Sequence, residues 1–102
     1  MDQPTAGIGQ IANVGPASIT PMGVLEDSRC PEGVQCVHAG TVRIMAEVAA
    51  GWDTDRAEMK LAKPVEVIGG TVTLVAADPA PRSGGQVAEV DYRFTFAFKA
   101  EK

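Results

Sequence analysis

The chain has 102 residues, of which 45% are hydrophobic and 22% charged, and its 13 acidic against 9 basic side chains give a formal net charge of −4. That length suits one domain over residues 1–102, and the composition excludes a disordered tail, a coiled coil and a membrane-spanning chain. An acidic surface of this size does not neutralise phosphate, so no nucleic-acid partner is expected.

The apolar residues favour strands. Val (12) and Ile (5) far outnumber Leu (3), and branching at Cβ suits a pleated surface. Eleven Gly and seven Pro cut the chain into short segments. Residues 1–7 read as a flexible, loop-like N-terminal segment before a first strand around Ile8 to Val14. The stretch from Gly15 to Asp27 is extended but interrupted. Pro16 and Pro21 each remove a donor, which places it on an edge or gives it a bulge. From Thr41 to Val48 the pattern alternates, with Val42, Ile44, Ala46 and Val48 on one face and Thr41, Arg43, Met45 and Glu47 on the other.

Residues 49–53 read as a turn, with Trp52 plugging one end of the core. Residues 54–62 alternate as a strand, with Ala57, Met59 and Leu61 opposite Arg56, Glu58 and Lys60; a helix capped by Asp53 or Thr54 is the competing reading. Val65 to Ile68 and Thr71 to Ala76 flank Gly69-Gly70, a two-residue hairpin signal. The run 78–86 reads as an exposed loop. In the last segment, Val87 to Lys99, Val90, Tyr92, Phe94, Phe96 and Phe98 share one face, which marks a strand through the centre of the core. The expected fold is all-β: a single antiparallel β-sandwich, Greek-key-like, of about six or seven strands. Proline at an edge favours a monomer.

One stretch differs in texture. Residues 26–40 (EDSRCPEGVQCVHAG) join two strands through a polar turn that holds the only two cysteines, Cys30 and Cys36. In a cytosolic protein this pair would suggest redox or metal chemistry, and in a small secreted domain a disulfide. The chain starts without the basic and apolar regions of a signal peptide, which by itself leaves the compartment open.

The run DSRCPEGVQCVHAG at 27–40 resembles the signature D-S-R-C-P-x-G-x-x-C-V-[W/H]-A-G of a family of small secreted or lipid-anchored bacterial β proteins without an established activity. His38 stands where Trp is the commoner residue. The resemblance implies an extracytoplasmic β domain, periplasmic, secreted or lipid-anchored, and says nothing about a substrate. In that setting Cys30 and Cys36 close a disulfide worth about 2 kcal/mol for so short a loop.

Several roles for this loop are open. In the plainest, Asp27 accepts hydrogen bonds from the loop backbone, Arg29 pairs with an acid, the disulfide fixes the corner, and His38 faces the core with the parity of Val42 and Ile44. A second makes Asp27, Ser28, Arg29, Pro31 and His38 a rigid binding loop for a protein or small-molecule partner at the envelope. A third is a metal-handling (copper or zinc) protein using Cys30, Cys36 and His38, with Met22 or Met45 nearby. It needs reduced thiols and offers too few ligands, so no metal is expected. A protease-inhibitor-like loop is a further alternative. No nucleophilic or acid–base set converges: the one His leaves Ser18, Ser28 and Ser83 without a recognisable elbow. Asp53 and Asp55 share a face and read as a solvated turn rather than a calcium site. The expectation is a non-enzymatic extracytoplasmic binding module without a cofactor.

Overall fold

The computed structural model describes residues 3–30, 35, 37, 40–51, 53–67, 69–78 and 88–100. They form eight strands: β1 (Thr5–Ala6), β2 (Ala12–Val14), β3 (Ala17–Asp27), β4 (Val42–Ala50), β5 (Asp53–Lys60), β6 (Pro64–Val67), β7 (Gly70–Asp78) and β8 (Arg93–Ala100). A single 3-10 turn at Glu89–Asp91 precedes β8. The chain is all-β, with two antiparallel four-stranded sheets in the orders β1-β8-β7-β6 and β2-β3-β4-β5.

Both sheets feed one apolar cluster. Phe94, Phe96, Leu74 and Val72 enter it from one sheet; Val14, Ile19, Val42, Ile44 and Met59 enter from the other, each at most 1% exposed. The alternation read in β4 holds, since Val42, Ile44 and Ala46 are fully buried while Arg43, Met45 and Glu47 are only partly covered. β5 is a strand, not the competing helix, because Met59 and Ala57 need the period of two to meet the core. β8 lies between β1 and β7, in the central position expected from its aromatic run.

The differences from expectation are local. The described residues form eight strands rather than six or seven. Thr5–Ala6 is a paired strand, not part of a flexible segment, because Ala6 packs into the core beside Phe94 on β8. The strand expected from Ile8 starts only at Ala12, after a turn in which Gly9 N donates to Pro21 O at 2.8 Å. The chain turns at 89–91 before β8, so Val90 is 79% exposed instead of sharing the Phe face. Pairing of Val67 with Gly70 puts Gly70 inside β7 rather than at the tip of the hairpin. A Cβ at Gly70 would lie 2.1 Å from Lys99 O, so close approach of two backbones requires glycine there. Trp52 and residues 79–87 lie outside the described residues.

Pro21 is fully buried and lies beyond β2, whose pairing with β3 covers only Ala17 to Ile19. On its other side β3 slips by one residue against β4 between Pro21 and Gly23, and again between Val24 and Glu26. The first is a bulge of the kind anticipated from Pro21; the second lies away from both prolines. The first slip turns Val24 toward Ile44; the second returns Asp27 to the core side opposite Val42 and sends Glu26 outward opposite Arg43.

Candidate functional site

Asp27 ends β3 at the margin between the sheets, and three groups converge on it. Arg29 donates from Nε to Oδ1 at 2.9 Å and from Nη2 to Oδ2 at 2.8 Å, a bidentate fork. The Tyr92 hydroxyl donates to Oδ2 at 2.6 Å, and the Arg29 backbone N–H reaches Oδ1 at 3.4 Å. Arg29 also donates from Nη1 to the Ala77 carbonyl at 2.5 Å. Asp27 belongs to one sheet, while Ala77 and Tyr92 belong to or adjoin the other. The ion pair therefore clamps the two sheets at this end.

The electrostatics follow from that geometry. The Arg29 guanidinium holds the Asp27 carboxyl below its ordinary value; burial opposes this and the Tyr92 hydroxyl adds to it. The same contact with Asp27 raises Arg29. Desolvation first, then the hydrogen bond to Asp27, pushes the Tyr92 hydroxyl up to about 12. The Tyr92 ring is itself fixed, stacked on Phe94 at 5.3 Å between centroids. Asp27 stays ionised with its lone pairs engaged, and Tyr92 stays protonated. Neither is poised to exchange a proton near neutral pH, and the cluster is suited to holding rather than to acid–base chemistry.

The ends of the 28–40 loop are tied together beside the clamp. Ser28 N donates to Thr41 O at 2.8 Å, Thr41 N donates to Ser28 Oγ at 3.0 Å, and Ser28 Oγ donates to Glu26 Oε2 at 2.8 Å. Gly40, at φ +70°, lets the returning chain pass so close that a Cβ would lie 1.8 Å from Ser28 O. On the outer face Arg43 donates from Nε to Glu26 Oε1 at 2.7 Å and from Nη1 to Glu58, bridging β3, β4 and β5.

The structure thus brings Asp27, Ser28 and Arg29 together at the base of the loop. Arg29 does pair with an acid, and that acid is Asp27, two residues before it. With its side chain 16% exposed, Arg29 is an anchor and not a charge displayed to solvent. Cys30 is half-buried, and Gln35 and Val37 are exposed. Pro31, Cys36 and His38 lie outside the described residues, and with them the disulfide and the inward orientation of His38. Asp53 and Asp55 are exposed, and among the described residues no cluster of three or more His, Cys, Asp or Glu is arranged for a metal.

Sequence reasoning missed the polar role of Tyr92, which it placed only among the core aromatics. The signal was present: Tyr92 is the one hydroxyl in that aromatic run, and a buried phenol finds a partner. It also missed Glu89, whose Oε2 accepts the Val24 amide at 3.0 Å on the side of β3 that β2 has stopped covering. No family model, curated protein or solved structure matches the chain.

Proposed function

We propose that this chain is a non-enzymatic binding module that works outside the cytoplasm. A Greek-key-like β-sandwich holds the 28–40 loop, closed by a Cys30–Cys36 disulfide, toward a protein or small-molecule partner at the cell envelope. The observation that carries this reading is the clamp at the loop's base. Asp27 and Arg29 fix one end of the loop to both sheets, and Ser28 and Thr41 tie its two ends together. A recognition segment rooted this way loses little conformational freedom on binding. The sheet order, in which β1 lies beside β8, supports the Greek-key-like reading.

The reading assigns Asp27, Ser28 and Arg29 to support and the residues between them and Gly40 to contact. Its test is quantitative crosslinking to envelope fractions, comparing the protein with a variant carrying a Gly-Ser run in place of residues 31–35. The expected result is a crosslinked partner that disappears in the variant while the urea midpoint stays within a small shift. Identical crosslinking by both proteins would overturn the proposal. Counting thiols on exported, denatured protein separates the alternative: no free thiol is expected, and two would favour metal handling.

A further inference from the structure

We propose that β5 is a homodimerisation edge, at which two copies pair antiparallel about a twofold axis through Ala57 and join two four-stranded sheets into one of eight strands. Among the described residues β5 has one neighbour, β4. Its eight residues run without a register shift and contain no proline. The other outer strands are poorer templates. β1 has two residues, β2 three, and β6 four starting at Pro64. The expectation of a monomer rested on proline at the edges, and β5 carries none.

The backbone fixes which pairings are possible. Leu61 N donates to Val42 O at 2.9 Å, so position 61 is hydrogen-bonded toward β4. Alternation along the unbroken ladder directs Met59, Ala57 and Asp55 the same way and leaves the amides and carbonyls of Thr54, Arg56, Glu58 and Lys60 facing outward. In a symmetric antiparallel pair, outward-facing residues must oppose one another, so the axis passes through a residue and never between two.

Charge then selects among the permitted registers. An axis at position 56 sets Arg56 against itself. One at 58 sets Glu58 against itself and Arg56 against Lys60. Axes at 55 or 59 engage only short stretches. The axis at Ala57 sets Arg56 against Glu58 of the partner subunit twice over, and Thr54 against Lys60. Within each copy Glu47 already lies opposite Arg56, so the sheet gains a row of alternating sign, Glu47, Arg56, then Glu58 of the partner subunit. The residue on the axis forms a non-hydrogen-bonded pair, the closer type, and alanine fits it.

Asp55 has the core-side parity and is exposed, and in this register it meets Met59 of the partner subunit. An inward charge of this kind weakens edge pairing, which keeps the association reversible. The test is sedimentation equilibrium at loading concentrations up to about 1 mM, at low and high salt, with circular dichroism to confirm folding. The protein is expected to dimerise, more weakly in salt. Arg56→Glu and Glu58→Arg should each weaken the dimer about tenfold or more, because two attractive cross-strand pairs become repulsive. A one-to-one mixture of those two variants should form a heterodimer, and Asp55→Ala should tighten self-association. A protein that stays monomeric throughout, a dimer indifferent to both reversals, or a mixture that stays monomeric would each overturn the proposal.

Discussion

Replacing Asp27 by asparagine removes one charge while keeping the size of the side chain. In the folded protein the Asp27 and Arg29 side chains are 12% and 16% exposed, so water screens their pairing little. The amide would retain one acceptor for the Tyr92 hydroxyl but would lose the carboxylate that accepts both guanidinium bonds, leaving Arg29 with a partly buried charge and a neutral group beside it. Hydrogen bonds to charged groups and broken ion pairs of this kind place the loss at about 2–3 kcal/mol at pH 7. With a urea dependence of about 1 kcal/mol per molar, the midpoint should fall by about 2–3 M. The pH dependence gives the sharper check. The folded-state value of Asp27 lies below its unfolded value of 3.8, so its contribution is fully present above the unfolded value and is lost as pH falls through the folded one. Urea unfolding of the two proteins followed by circular dichroism should show a constant gap from about pH 7 to pH 5, narrowing below about pH 4. A gap independent of pH would refute the reasoning, because packing and not charge would then be its source.

Tyr92 is the chain's only tyrosine, so its phenolate absorbance reports one group. It should ionise at about 12 in the folded protein and at about 10 in urea, its contribution being present below the unfolded value and lost as pH rises through the folded one. Titration of the folded protein at the ordinary value would deny the contact with Asp27. Tyr92→Phe should cost about 1–2 kcal/mol in urea unfolding, since the ring's stacking on Phe94 remains. Two glycine variants make an internal contrast. Gly9 and Gly40 both have positive φ, but a Cβ at Gly9 meets nothing within 4 Å while one at Gly40 strikes Ser28 O. Gly9→Ala should cost about 1 kcal/mol and Gly40→Ala clearly more than about 2, and equal losses would count against the tight passage at the loop's base.

Strand content was legible because burial on one face imposes a period of two, and β4, β5 and β8 carry it openly in Val42–Ile44–Ala46, Ala57–Met59 and Phe94–Phe96. The hairpin between β6 and β7 was legible from its glycines, but not its register: Gly70 answers to the Lys99 backbone, a neighbour distant in sequence. The start of β1 was hidden for the same reason, since two residues show no period and Ala6 is buried only because β8 passes beside it. In the site, the pairing of Asp27 with Arg29 could be guessed from their spacing. Its links to Ala77 and Tyr92 could not, because they depend on how the second sheet closes over the first.

The two slips in β3 have a consequence for how this protein can vary. Each adds one residue to β3 relative to β4 and inverts the parity of the side chains that look inward, so that Pro21 and Asp27 both lie on the core side. Each slip is a single residue, Met22 or Leu25, without a partner on β4, so losing either one would close that slip and leave Asp27 opposite Val42 and within reach of the phenol. Natural length changes of one residue are therefore expected at these two positions, because the neighbouring strand and not the length of β3 decides where the carboxylate lands.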